Sequence, residues 1–323
     1  MAYPIHERAQ EAFSEFVDDP FLQKHGVIRR QSHMRNRRGL DIYTQSWAPA
    51  GSSRRPCGLV CMIHGFMVHS GGPWELTAIA MVKQGFAVYA LDLQGHGRSE
   101  GLRGYIPDIQ WLLDDCIEFF NCSRAEAPGL PAFLYGESLG GALALLVSLR
   151  QPGVWKGVIL SGPMCGIARS FMPPWPMELL LPLASIVVPT WKAVPTQSLV
   201  KASYKEPTFR KLIRTDPYLC RGLPRVASAR ELLKACDEVQ RRSYEVCVPL
   251  LILHGDTDHV CDVKATEVVY ERVQSHDKTL KILPGMWHQL IGEPPENVDC
   301  VFKLVFSWLR DRATGACNGN AKG

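Results

Sequence analysis

The sequence predicts an α/β fold, with a mostly parallel central sheet flanked by helices and interrupted once by a helical cap insertion. Three observations carry that prediction. Short, continuous apolar runs alternate with stretches of helical periodicity through the first half of the chain, the pattern of strands buried on both faces by crossover helices. The runs end in turns rich in Gly, His, Ser or Asp, so polar groups collect at the carboxyl ends of strands. Between residues 164 and 245 the alternation stops and later resumes, a gap too long for a loop within a compact sheet.

Taken in order, residues 3–24 read as a short amphipathic helical leader. Residues 26–33 and 40–47 alternate apolar and polar side chains about the Arg37-Arg38-Gly39 turn, which predicts an antiparallel hairpin at a sheet edge. A small-residue loop over 48–56 leads into 58–63, apolar throughout and so a buried parallel strand. It ends at His64-Gly65-Phe66-Met67, and a helix follows over 74–84. Residues 86–93 form the next buried strand, closing in Gln94-Gly95-His96-Gly97-Arg98-Ser99. In 108–121, Ile109, Leu112, Leu113, Cys116, Ile117 and Phe120 recur at helical spacing. A strand over 132–135 runs into Gly136-Glu137-Ser138-Leu139-Gly140-Gly141 and an Ala/Leu-rich helix, and 154–160 is a further strand.

The insertion interleaves Pro and Trp with helical pieces (PPWPMELLLPLASIVVPTW) and then carries a more polar helix over 227–242. The sheet resumes at 248–253, followed by a helix over 263–274, a strand over 279–283 and a closing helix over 297–312. The core is therefore expected from 1–163 and 246–313 and the cap from 164–245. Residues 314–323 read as a disordered small-residue tail.

Composition narrows the function classes. A chain of 323 residues that is 46% hydrophobic suits one large domain with a substantial core. The net charge of +4 is slight, and Arg29-Arg30 and the arginines at 35, 37 and 38 form no sustained basic stripe, which argues against nucleic-acid binding. The eleven cysteines are dispersed. Cys57 and Cys61 lie closest together, but no second cluster completes a zinc site, so the thiols read as reduced and mostly buried. The N-terminus lacks the apolar core of a secretory signal. The longest apolar stretch, 177–188, is broken by Glu178 and Pro182 and is too short to span a bilayer. A cytoplasmic protein is expected, with peripheral membrane contact through the cap.

The chemistry centres on Ser138. In G-x-S-x-G, a serine forced into a sharp strand-to-helix turn needs neighbours without a Cβ two positions away on either side. The following helix N-terminus offers backbone N–H groups to a developing oxyanion. A serine nucleophile needs a base, and the base needs an acid to fix its tautomer. Two strand ends supply them: His254-Gly255-Asp256-Thr257-Asp258-His259-Val260-Cys261-Asp262 and Pro284-Gly285-Met286-Trp287-His288. The order Ser, Asp, His makes His288 the base. His254 and His259 lie in the acid's own loop, and His64 and His96 precede the nucleophile, so these four read as structural or pocket-lining. Asp256, Asp258 and Asp262 all remain open as the acid. The oxyanion donors are expected to be the N–H groups of Leu139 and Phe66, with Met67 as the alternative to Phe66. Such chemistry requires no metal or organic cofactor.

These motifs resemble the plant branch of the monoacylglycerol lipase family, also called lysophospholipase-like, among the serine α/β-hydrolases. The likeness rests on HGF at 64–66, LDLQGHGRSEG at 91–101, GESLGG at 136–141, PPWP at 173–176, HGDTDHVCD at 254–262 and DKTLKILPGMWHQLIGEP at 277–294. It implies an α/β-hydrolase fold, Asp258 as the acid, and the cap as a lid over an acyl-chain tunnel. It further implies cleavage of monoacylglycerols to glycerol and fatty acid through an acyl-enzyme, with lysophospholipids as further candidates. Substrate contacts are expected from Met67, Glu137, Trp175, Trp191, Val260 and Trp287. The lid side chains Phe171, Leu179, Leu180, Leu181, Ile186 and Val187 would suit an acyl chain or, on the outer surface, lipid. The resemblance extends to caffeoylshikimate esterase, a relative acting on a phenolic ester. The chain departs from that enzyme in Phe66-Met67-Val68-His69 and in its PPWP and VPTW segments, both more like the lipases. A phenolic esterase, an acyltransferase using the same triad and a non-catalytic ligand receptor are the competing classes.

Overall fold

The computed structural model describes Tyr3 and residues 17–51, 55–194 and 198–313. Of the leader expected over 3–24, Asp19–Lys24 is a helix (α1), started by Asp18, whose side chain accepts from the Phe21 N–H at 2.9 Å. Residues 4–16, and the tail expected over 314–323, lie outside the described residues.

Eight strands form one sheet: β1 (Val27–Arg35), β2 (Asp41–Pro49), β3 (Leu59–Ile63), β4 (Ala87–Leu91), β5 (Ala132–Glu137), β6 (Gly157–Ser161), β7 (Leu250–Gly255) and β8 (Lys278–Leu283). The spatial order is β1-β2-β4-β3-β5-β6-β7-β8. β1 and β2 form the expected edge hairpin; β2 meets β4 antiparallel, and every pairing from β4 to β8 is parallel. This is the α/β-hydrolase fold. The helices α2 (Pro73–Lys83), α3 (Ile109–Ala125), α4 (Leu139–Arg150), α9 (Val263–Arg272) and α10 (Pro295–Ala313) connect or close the strands. Central strands β3, β5, β6 and β7 are buried along their whole length, which is why they read as unbroken apolar runs. Residues of alternate parity feed two cores. Leu59, Cys61 and Ile63 pack with α3 and α4, whereas Val60 and Met62 pack with α2 and α10.

Between β6 and β7 the described residues form helices α5 (Met177–Val187), α6 (Leu199–Ser203), α7 (Pro207–Thr215) and α8 (Val226–Arg242), with one antiparallel bridge, Ile167 to Cys261. This segment is fastened to the strand loops by polar contacts. Ser228 Oγ accepts from the Ile106 N–H and donates to the Gly104 carbonyl, and Glu231 accepts from the Ile109 N–H.

Two expectations need correction. β6 begins at Gly157 and not at 154: residues 151–156 form a turn whose Trp155 packs edge-on against Phe120, so its apolar side chains imitate a strand start. The cysteines are also not uniformly reduced. Nine are free among the described residues, six of them buried, but Cys57 is disulfide-bonded.

Candidate active site

The strand order brings the loops after β3, β5, β7 and β8 to the carboxyl edge of the sheet. β5 extends two residues beyond the expected strand, so that Gly136 and Glu137 pair with Leu160 and Ser161 and Ser138 follows at once. Ser138 sits at φ 55°, ψ −120°, a left-handed conformation that costs an L-residue of order 1–3 kcal/mol. The surroundings hold it there. Its N–H donates to Ser161 O at 3.1 Å, and its carbonyl accepts from Gly141, Ala142 and Met164. The flanking glycines are sterically required: a Cβ on Gly136 would collide with the Gly140 carbonyl, and one on Gly140 with Ile63 O. On the β3 side, a Cβ on Gly65 would stand 3.2 Å from Ser138 Cβ, so this loop lies directly against the serine.

Leu139 is the first residue of α4, where a backbone N–H has no intrahelical acceptor and is free for an anion. Phe66 and Met67 line the same cavity as Ser138. The loop carrying them is pinned by His64, which donates Nδ1–H to Gly65 O at 2.7 Å and accepts the Leu93 N–H at Nε2 at 2.9 Å. Burial, with His96 beside it, pulls its pKa down to about 3, so it stays neutral and keeps that tautomer. Met67, at φ 68°, is held by Cys220, whose N–H donates to its carbonyl at 2.9 Å.

The three candidate acids have different partners. Asp256 is exposed and accepts from Gly285 N–H and Thr257 Oγ, a tie between two turns. Asp262 caps α9 by accepting from Lys264 N–H. Asp258, with its side chain buried, accepts four hydrogen bonds: at Oδ1 from Val260 N–H (2.7 Å) and Cys261 N–H (2.9 Å), at Oδ2 from His288 Nδ1 (2.7 Å) and His254 Nε2 (2.9 Å). Burial would raise its pKa, but the His288 charge and the imidazole hydrogen bonds outweigh it and hold the carboxyl well below its ordinary range. His288 is its counterpart. Burial pulls the imidazole down, while the charge and hydrogen bond of Asp258, and then Glu137, push it above its ordinary value. With Nδ1 committed to Asp258, Nε2 is the ring nitrogen left for the cavity that His288 shares with Ser138.

That cavity measures about 610 Å³ and is mostly apolar. Ser138, His288 and Gly65 lie on its wall, and Met164, Ile167, Phe171, Leu199, Leu219 and Leu232 supply much of the rest. Met67 and Val260, expected at the substrate, line it. Glu137 does not; it is buried beneath, accepting from Gln289 Nε2 at 2.7 Å, and burial raises its pKa. Trp287 packs instead against His259 and under Arg210. Trp175 and Trp191, expected at the substrate, are 74% and 63% exposed on the outside of the inserted segment. Tyr204, Ser203 and Gln289 line the cavity without having been singled out. Nothing in their local sequence marks them, because they arrive there through the folding of the insertion and of the loop after β8. Asp258, Cys261 and His288 bring ligand-type atoms within 4.8 Å of one another, but the Asp258 oxygens are already filled by four donors, so a cation would compete with these bonds.

Comparison with known proteins agrees with this architecture. The family model described as serine aminopeptidase, S33, matches residues 54–295. Caffeoylshikimate esterase of Arabidopsis thaliana is 33% identical over 299 residues, covering 91% of this chain and 89% of that protein. Monoglyceride lipase of Homo sapiens is 33% identical over 284 residues, covering 88% and 91% respectively. Among solved structures, a soluble variant of the Saccharomyces cerevisiae monoglyceride lipase, in complex with a substrate analog, superposes with a TM-score of 0.77 at 21% identity, covering 88% of this chain and 96% of that one. The chain therefore belongs to the serine aminopeptidase S33 family of α/β-hydrolases.

Proposed function

We propose that the protein is a serine hydrolase of carboxylic esters whose main substrates are monoacylglycerols, cleaved to glycerol and fatty acid. Ser138 Oγ attacks the ester carbonyl while His288 Nε2 takes its proton; Asp258 orients the ring and stabilises the imidazolium. The N–H groups of Leu139 and Phe66 receive the tetrahedral oxyanion. His288 returns the proton to the leaving alcohol, then activates water to release the acid from Ser138. The segment 164–245 acts as the cap that encloses the acyl chain. The observation that carries this reading is the mostly apolar cavity with Ser138 and His288 on its wall, which suits a long acyl chain beside a reacting ester. The names of the lipase relatives point the same way.

A second reading, a phenolic esterase, has equal overall identity behind it, since caffeoylshikimate esterase and the human lipase are each 33% identical to the chain. The extent of the apolar wall favours the acyl chain. A panel of monoacylglycerols, lysophospholipids and caffeoyl esters, run with wild type and Ser138→Ala, separates the two. Highest kcat/KM on monoacylglycerols is expected; preference for the caffeoyl ester would replace the first reading with the second.

We also assign the outer face of α5 to a lipid surface. Leu179, Leu183, Ile186 and Val187 are 69%, 63%, 73% and 70% exposed, a contiguous apolar stripe of the kind that enters a headgroup layer. Among the described residues no helix is long and apolar enough to cross a membrane, so contact would be peripheral.

A further inference from the structure

His254 lies near the end of β7, is wholly buried four residues before Asp258, and is not among the residues that line the substrate cavity. Its ring has two partners. Nε2 lies 2.9 Å from Asp258 Oδ2, the same oxygen that His288 Nδ1 reaches at 2.7 Å, and Nδ1 lies 3.0 Å from Thr266 Oγ1 on α9. A carboxylate oxygen can only accept, so Nε2 must carry the proton; in the neutral ring Nδ1 then accepts from the Thr266 hydroxyl. Asp258 is thereby gripped by two imidazoles on one oxygen and two backbone N–H groups on the other, which blocks rotation of the carboxylate plane.

Resting on the reading of Asp258 as the acid of the proposed hydrolase, we infer that His254 is a positioning residue: its Nε2–H fixes the Asp258 carboxylate and takes a share of its charge that would otherwise act on His288. Both nitrogens of this wholly buried ring are satisfied, and one of the two partners is the Asp258 carboxylate itself, on the oxygen that also accepts from His288. The titratable groups facing this assembly are few. Asp258 meets His288, His254 and the Cys261 thiol; His288 meets Asp258 and Glu137; His254 meets Asp258 and Thr266, with Cys165 beyond the threonine. Without His254 the carboxylate charge is less neutralised, the His288 imidazolium is favoured, and the neutral base form appears only at higher pH.

The test contrasts two polar replacements. In His254→Asn the amide reaches Thr266 but not Asp258; in His254→Gln the side-chain amide reaches Asp258 at about the position of Nε2. For His254→Asn a fall in kcat of about tenfold is expected, with the acid limb of kcat/KM moved up by about half a pH unit. His254→Gln should restore both the limb and most of kcat. An unshifted limb with unchanged kcat in His254→Asn, or equal damage in His254→Gln, overturns the inference. Where a variant does not fold, imidazole ¹⁵N shifts of the wild-type protein decide: a proton on His254 Nε2 is expected, and one on Nδ1 alone overturns it. Asp258→Asn is run alongside. If it too retains full activity, the reading of the site has failed; if it is crippled while His254→Asn is not, only the role of His254 has failed.

Discussion

The loops at the strand ends and the segment above them solve different problems. At the strand ends, polar groups are held one by one through backbone geometry: a left-handed Ser138, glycines with no room for a Cβ, and an Asp258 that accepts four hydrogen bonds. Inside the inserted segment, the cavity wall is made of apolar side chains whose identities matter less than their volume, and its outer helix α5 exposes more apolar surface than it buries. On the proposed function, chemistry would therefore depend on a few irreplaceable contacts, and substrate choice on many replaceable ones. The two regions meet at a buried pair: His69 Nε2 and Asp216 Oδ2, 2.7 Å apart, link the loop after β3 to the loop between α7 and α8.

The sharpest way to break this contrast is at the strand ends. Asp258→Asn should lower kcat about 10³- to 10⁴-fold while leaving the cavity intact, because the wrong tautomer of His288 is then favoured. With His288 as the proposed base, activity would need its neutral form, and because its pKa is raised the acid limb of kcat/KM should lie above the ordinary imidazole value of about 6.5.

Next comes the junction. Asp216→Asn should destabilise the protein by about 3 kcal/mol, since it leaves a buried His69 without its charge partner. His69 is raised and Asp216 lowered, the first by hydrogen bonding and charge overcoming burial, the second likewise. The contribution of His69 is present below its unfolded pKa and lost as pH rises through its higher folded value. That of Asp216 is present above its unfolded pKa and lost as pH falls through its lower folded value. Thermal unfolding of wild type and Asp216→Asn across pH should therefore differ most near about pH 5, between the ordinary Asp and His values, and converge toward both extremes. The smallest effect belongs to α5. Leu183→Glu with Ile186→Glu should change stability by no more than about 0.5 kcal/mol and leave turnover of a short soluble ester unaltered. Recovery of the protein with lipid vesicles should fall; equal recovery in the supernatant would remove the lipid-surface role.

The same contrast explains what could be read from the sequence. The sheet and the turn at Ser138 were legible because burial on both faces leaves an unbroken apolar run and the steep turn demands glycine at fixed spacing. Asp256, Asp258 and Asp262 could not be separated by spacing, since each makes an ordinary local hydrogen bond to a following group. The approach of β8's loop, which brings His288 to Asp258, and the burial of the Asp258 side chain set it apart from the other two. His254 reads as structural for a related reason: nothing in its local sequence shows that its ring reaches Asp258 on one side and Thr266 of α9 on the other. In the inserted segment, an apolar stripe has the same period whether it faces a ligand or solvent, so Trp175 and Trp191 were indistinguishable from true wall residues such as Phe171.

Everything proposed for the site turns on Ser138 as the nucleophile. A fluorophosphonate reacted with the intact protein, followed by peptide mass spectrometry, tests it most directly. A single adduct on the peptide containing Ser138, blocked by prior incubation with a monoacylglycerol and absent from Ser138→Ala, is the expected result. An adduct on another residue, or undiminished ester turnover by Ser138→Ala, would contradict it.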